Sequence, residues 1–188
     1  KAAEIIVEEV NGAFPVLIGS ARAATRETVE ASRTAQKIGA DAVMIVHPFY
    51  SMPIEEEVIN HYKTVADAID IGVVVYNNPA TSKLWLGTET IRELSKVDNI
   101  IGLKENTSNP MQFLAMLNGL DPADIAIFAG LGHAMYQFMC SFGCTGYVTE
   151  ISNYAPDLAF RLFKAGQSGD LATVRASAAT MSLIWDFI

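Results

Sequence analysis

Hydrophobic residues fall along this chain in two alternating patterns. Short runs that are apolar on successive positions, at 14–19, 41–46, 72–76, 99–103, 125–129 and, more weakly, 145–149, read as six strands covered on both faces. Between them the spacing turns helical, predicting helices over roughly 26–38, 54–68, 88–96, 110–119, 132–142, 154–165 and 170–187. Asn109 before Pro110 is a cap and first-turn pair, and Asn153 is placed to cap the helix carrying Pro156. Gly39 and Gly166 sit where helices should stop, and Glu55-Glu56-Glu57 reads as an acidic first turn. The chain opens in what reads as the middle of a helix.

Repeated strand–helix units leave two architectures, an open doubly wound sheet or a (β/α)8 barrel. The open dinucleotide-binding sheet wants Gly-x-Gly-x-x-Gly after a strand, but Gly130-Leu131-Gly132 is followed by Met135. The barrel reading needs about two further strands before Lys1, since six cannot close a ring of eight. We therefore expect one barrel domain over residues 1–188, incomplete at both ends.

Composition narrows the function classes. A chain of 188 residues fits one domain, and its apolar fraction of 51% excludes disorder. Lys and Arg number 13 against 21 for Asp and Glu, so the net charge of -8 offers no surface for a phosphate backbone, and nucleic acid is a poor partner. No apolar run approaches the roughly 18 residues of a membrane helix. Cys140 and Cys144 are too few for a disulfide scaffold, which makes a reducing cytoplasm the expected location.

In either architecture ligands meet the carboxyl ends of the parallel strands. Three ends are informative: His47-Pro48-Phe49-Tyr50, Tyr76-Asn77-Asn78-Pro79-Ala80-Thr81-Ser82 and Lys104-Glu105-Asn106. Lys104 continues the run 99–103 without a turn, and strand parity groups it with Ile100 and Gly102. On a poorly solvated interior face its pKa falls, supplying the neutral amine that attacks a ketone; otherwise it is a lysine whose head emerges at the sheet rim. Tyr76 shares a face with Gly72 and Val74 at the end of the preceding strand. Its phenol can relay protons between an amine and a carbonyl, or simply hydrogen-bond to backbone inside the core.

These residues resemble a known family. Tyr76-Asn77-Asn78-Pro79 followed by Gly102-Leu103-Lys104-Glu105 is similar to the paired signature of the dihydrodipicolinate synthase/N-acetylneuraminate lyase family, which are (β/α)8 class I aldolases. Residues 19–25 resemble the loop after its third strand, Pro48-Phe49-Tyr50 its Pro-aromatic-Tyr turn, and 143–153 its eighth strand and following turn. The resemblance implies a TIM barrel of which this chain covers about the third to eighth units. It implies that Lys104 forms a Schiff base with pyruvate or another 2-keto acid, and that Tyr76 shuttles protons. It also implies that Tyr50 reaches a neighbouring subunit's site, in a homodimer or homotetramer, and that the backbone of Val148 lies beside the pyruvate. No cofactor beyond the lysine imine is implied.

Two departures stand out. The family's Gly-Thr-Thr-Gly-Glu-like segment, which binds the pyruvate carboxylate, would precede residue 1. True dihydrodipicolinate synthases carry an arginine two residues after the motif's proline, where this chain has Thr81. Without that bidentate partner for a carboxylate, Thr81 and Ser82 are suited to the hydroxyl groups of an uncharged aldehyde. The expected activity is a lyase or aldolase joining or cleaving pyruvate and an aldehyde. A keto-deoxy-sugar-acid dehydratase, the true synthase and a non-catalytic keto-acid-binding protein are the alternatives. His47, His61 and His133 lie on separate elements with no zinc-site spacing, so no metal is expected. His47 reads as a rim residue and His61 as solvent-facing. The cysteines, with Met111, Met116, Met135 and Met139, read as packing.

Overall fold

The computed structural model describes residues 1–185. Contacts divide the chain into two units, Lys1–Leu103 and Lys104–Ile188, and the division falls inside one strand. The first unit runs α1 (Ala2–Val10), β1 (Leu17–Gly19), α2 (Thr25–Lys37), β2 (Ala42–Val46), α3 (Glu55–Ala66), β3 (Gly72–Asn77), α4 (Pro79–Ser82), α5 (Thr88–Leu94) and most of β4 (Ile100–Glu105). Its strands lie in chain order, β1 parallel to β2 and β2 to β3.

The register pairs Val43 with Val73 and Ile45 with Val75, and all four are fully buried on the face that carries α2 and α3. The opposite face pairs Met44 with Val74 and Val46 with Tyr76, and Met44, Val46 and Tyr76 stay partly open. Thus β2 and β3 are not equally covered on both faces, as their unbroken apolar runs had led us to expect. Ile101, on β4, is 47% exposed and lies where a side chain on Gly72 would overlap it. That is the reason Gly72 is tolerated in a strand.

Helix signals explain most of the boundaries. Glu57 accepts from the Ile54 N–H at 3.0 Å, closing the acidic first turn of α3. Gly39 follows α2 with φ +92°, a conformation that costs glycine little. His61 corrects our expectation of a solvent-facing residue. It belongs to the buried stripe Val58, His61, Tyr62, Val65 and Ala66, whose spacing is that of one helix face.

The second unit takes in Lys104 and Glu105 of β4, then α6 (Pro110–Gly119), β5 (Ala126–Ala129), α7 (Gly132–Met139), a 3-10 turn at Cys140–Phe142, β6 (Gly146–Tyr147), a second 3-10 turn at Glu150–Asn153, α8 (Pro156–Ser168) and α9 (Leu171–Trp185). β5 and β6 are parallel, pairing Phe128 with Gly146 and Ala129 with Tyr147. Asn109 caps α6 as expected, its side chain accepting from the N–H groups of Met111 and Gln112 at 3.0 and 3.4 Å. Asn153 does not cap α8; the residue before that helix is Ala155, and Asn153 closes the 3-10 turn.

Gly166 is not a stop either. The helix runs through it to Gly169, which has φ +73°. Gly166 is required because a Cβ there would stand 2.6 Å from the Tyr136 hydroxyl. Met111 is 70% exposed and does not pack, whereas Met116, Met135 and Met139 are buried. The last expected helix was to reach residue 187; positions 186–188 lie outside the described residues. No helix among the described residues is long and apolar enough to cross a membrane.

Candidate active site

In the first unit the candidate groups gather where β3 turns into α4. Tyr76 is half-buried on the open face, and its phenol accepts from the Asn78 side-chain N–H at 3.1 Å. The same Asn78 nitrogen donates to Thr81 Oγ1, also at 3.1 Å, so one amide ties the phenol to the turn hydroxyl. Burial raises the Tyr76 pKa and the Asn78 bond partly offsets it. The phenol therefore stays protonated at neutral pH and keeps a proton to give.

Asn77 points to the opposite face, is fully buried, and clamps the chain beyond the turn: its amide donates to the Leu86 carbonyl at 2.9 Å and accepts from the Leu86 N–H at 3.0 Å. The sequence reading missed both asparagines as site builders. A pair of asparagines before a proline is a turn signal that could have revealed them.

Thr81 is exposed and available to a ligand. Ser82 is corrected: it is fully buried, and its hydroxyl is engaged with the carbonyls of Asn78 and Leu84 at 2.9 and 3.1 Å. It stiffens the turn instead of facing substrate. Lys83 ends α4 with φ +62° and donates to the Ala80 carbonyl at 2.6 Å, so its ammonium caps the helix.

Tyr50 follows β2 and is 88% exposed, with no hydrogen bond among the described residues. His47 is not a rim residue: it is fully buried, and neither ring nitrogen has a partner among the described residues. Desolvation lowers its pKa to about 4. The His61 pKa is also lowered to about 4, by burial first and by His47 second, while its Nδ1 shares a 2.8 Å hydrogen bond with Thr25 Oγ1.

In the second unit, Lys104 is the residue before the last of β4, with only 8% of its surface exposed. Burial lowers its pKa, and the charge of Glu150 partly raises it again. The three strand ends of this unit are stitched together in order. Gly130 N–H donates to the Glu105 carbonyl at 2.8 Å, and Val148 N–H donates to the Ala129 carbonyl at 3.0 Å. Val148 is thereby held at the end of β6, with 38% of its surface exposed.

Gly130 has no side chain because Asn106 Oδ1 fills the place of its Cβ, and Gly132 has φ +59°, a conformation that favours glycine. These two constraints account for the Gly-x-Gly. The Glu105 carboxylate turns back to accept from the Thr107 N–H at 2.6 Å. Glu150, which opens the turn after β6, was not singled out from the sequence; a carboxylate just past a strand end was the available signal.

Among the described residues no cluster of three His, Cys, Asp or Glu could hold a metal. Both cysteines are free thiols, Cys144 buried and Cys140 partly so. A groove of about 680 Å³ flanks β6, lined chiefly by Phe128, Tyr147, Val148, Pro156, Phe160 and Phe163. It is largely aromatic and does not include Lys104.

Residues 1–187 match the dihydrodipicolinate synthetase family. A 4-hydroxy-tetrahydrodipicolinate synthase of Nitrobacter hamburgensis is 36% identical over 173 residues, covering 92% of this chain and 58% of that protein. The crystal structure of dihydrodipicolinate synthase from Aquifex aeolicus has a TM-score of 0.92 at 26% identity, covering 98% of this chain and 63% of that one. A prophage protein of the dihydrodipicolinic acid synthase family from E. coli K12, solved in complex with pyruvate, has a TM-score of 0.90 at 28% identity, covering 97% and 62%. The chain thus spans less than two thirds of the length of these relatives. Its six strand–helix units are part of a (β/α)8 barrel.

Proposed function

The chain belongs to the dihydrodipicolinate synthetase family, and on that premise we propose that Lys104 is the amine of a class I lyase or aldolase that joins or cleaves pyruvate and an aldehyde. The observation that carries the reading is Lys104 itself, a strand-end lysine buried with a lowered pKa. Its neutral amine adds to the keto carbon of pyruvate, giving a carbinolamine. Loss of that hydroxyl as water leaves the protonated imine. The imine draws electrons from the methyl carbon, which loses a proton and attacks the aldehyde carbon; hydrolysis of the product imine returns the amine. Cleavage runs the same steps backwards.

Tyr76 relays the protons of carbinolamine formation and breakdown, a role supported by its retained phenol proton and by the Asn78 bond that aims it. Val148 supplies backbone beside the pyruvate. The exposure of Tyr50 suits its reaching a neighbouring subunit in a homodimer or homotetramer. No metal or cofactor takes part in this scheme. The reading also puts the protein in a reducing cytoplasm, where Cys140 and Cys144 remain thiols.

For the second substrate we favour an uncharged, hydroxyl-bearing aldehyde, because exposed Thr81 offers a neutral oxygen two residues after the turn's proline. The name of the Nitrobacter relative favours a second reading, the synthase that condenses pyruvate with aspartate semialdehyde. A panel of aldehydes separates the two by which supports faster turnover. The central claim is tested by treating the intact protein with pyruvate and borohydride. Mass spectrometry is expected to find one reduced adduct, on Lys104. No adduct, or adducts scattered over surface lysines, would overturn it.

A further inference from the structure

Asn78 stands directly before Pro79 of α4, as Asn109 stands before Pro110 of α6, yet the two side chains are used differently. The Asn109 oxygen caps its helix, accepting from the N–H groups of Met111 and Gln112. The Asn78 side chain makes no cap bond, and its Oδ1 is buried with no partner among the described residues. Its Nδ2 instead donates to the Tyr76 phenol and to Thr81 Oγ1, each at 3.1 Å. A cap stabilises a helix and an unpaired buried oxygen costs stability, so this arrangement gives up stability twice. We infer that Asn78 is a positioning residue that also sets the second substrate: it holds the Tyr76 phenol for the proton relay and leaves Thr81 a proton to donate, so that the protein selects aldehydes with a hydroxyl oxygen to receive it. The inference rests on the Schiff-base reading of Lys104.

The count of protons carries the argument. A carboxamide nitrogen has two protons and accepts none, whereas each hydroxyl has one proton and two lone pairs. With one Asn78 proton on each oxygen, neither hydroxyl can direct its own proton at Asn78. Thr81 is exposed, and no described residue accepts its proton, which is therefore open to a ligand oxygen. The orientation of the carboxamide follows from the same count. Interchanging its nitrogen and oxygen would bury two unpaired N–H groups in place of one unpaired oxygen, and buried donors go unpaired more rarely than carbonyls.

The backbone holds Asn78 still. Its carbonyl accepts from the Thr81 N–H at 3.0 Å, and from the Ser82 N–H and hydroxyl, both at 2.9 Å. Asn77 before it is anchored to Leu86, and Tyr76 is fixed in the strand register opposite Val46. Two bonds from one nitrogen keep the phenol and threonine oxygens no more than about 6 Å apart, so one small hydroxyaldehyde can reach both. An aldehyde without the hydroxyl displaces water from Thr81 and leaves the Thr81 proton without an acceptor.

The test uses the intact protein and its Asn78→Leu, Asn78→Asp and Thr81→Val variants. The readouts are kcat with pyruvate and glyceraldehyde, the ratio of kcat/KM for glyceraldehyde over propionaldehyde, and the melting temperature. The parent is expected to favour glyceraldehyde by at least about tenfold. Leucine and aspartate at 78 both lack the donor, so each should lower kcat about tenfold and bring the ratio towards one. Thr81→Val should also bring the ratio towards one, and combining it with Asn78→Leu should lower the ratio no further than either alone. The leucine variant removes an unpaired buried oxygen and breaks no cap, so it should melt no lower than the parent. Should it fail to fold, Asn78→Ala removes the donor without adding bulk. A parent ratio near one, no turnover of glyceraldehyde, or an aspartate variant with the parent kcat and ratio overturns the role of Asn78. If the Lys104 adduct with pyruvate and borohydride still forms in that case, the Schiff-base reading stands. No adduct in the parent protein overturns both.

Discussion

Asn77 and Leu86 are joined by two reciprocal hydrogen bonds, side-chain amide to backbone, of 2.9 and 3.0 Å, and both residues are buried. The pair fixes the chain beyond the Tyr76–Thr81 turn as a backbone ladder would, without a strand. Asn77→Ala leaves the N–H and C=O of Leu86 buried without these partners. We expect it to lower stability by about 2–4 kcal/mol in urea denaturation. Asn77→Asp should not rescue it, since an ionised carboxylate cannot donate to the Leu86 carbonyl. A loss below about 1 kcal/mol for the alanine variant would show that the turn holds itself.

Tyr76→Phe removes the relay hydroxyl and keeps the ring. Turnover should fall by about two to four orders of magnitude while the melting temperature moves little. Pyruvate should still be trapped on the amine, only more slowly, which separates a relay from a collapsed pocket. Turnover within a factor of about three of the parent would take the proton shuttle away from Tyr76.

His47 and His61 should make stability fall with acid. Each folded pKa, about 4, lies below the ordinary 6.5, so the unfolded chain takes up protons first as pH drops. Their contribution is complete above pH 6.5 and is lost as pH falls towards 4, by up to about 3 kcal/mol for each ring. Urea midpoints measured from pH 7.5 down to pH 5 should decline accordingly, and His47→Leu should flatten the decline. An equal slope in that variant would assign the acid sensitivity to other groups.

Gly166→Ala sets two effects against each other. Helix propensity favours alanine by about 1 kcal/mol, but the new methyl would stand 2.6 Å from the Tyr136 hydroxyl and 2.9 Å from its ring. Tyr136 is fully buried and stacks on Tyr147 with centroids 4.7 Å apart, so it has no room to yield. Overpacking should win, with a net loss of about 1–3 kcal/mol. Tyr136→Phe in the same chain should recover part of it; a stabilised single variant would mean that the ring moves.

The periodicity of the chain determined the six strands, seven of the helices and the strand ends where chemistry is placed, because each of these depends on the spacing of neighbours along the backbone. The cap at Asn109 was legible for the same reason, whereas strand parity left Lys104 open between the interior and the rim. Tertiary packing alone decided matters in which one element leans on another. His61 is buried because α3 turns that stripe towards its strand, and Gly166 is glycine because Tyr136 crosses the helix there. Ser82 lost its expected role to carbonyls of its own turn.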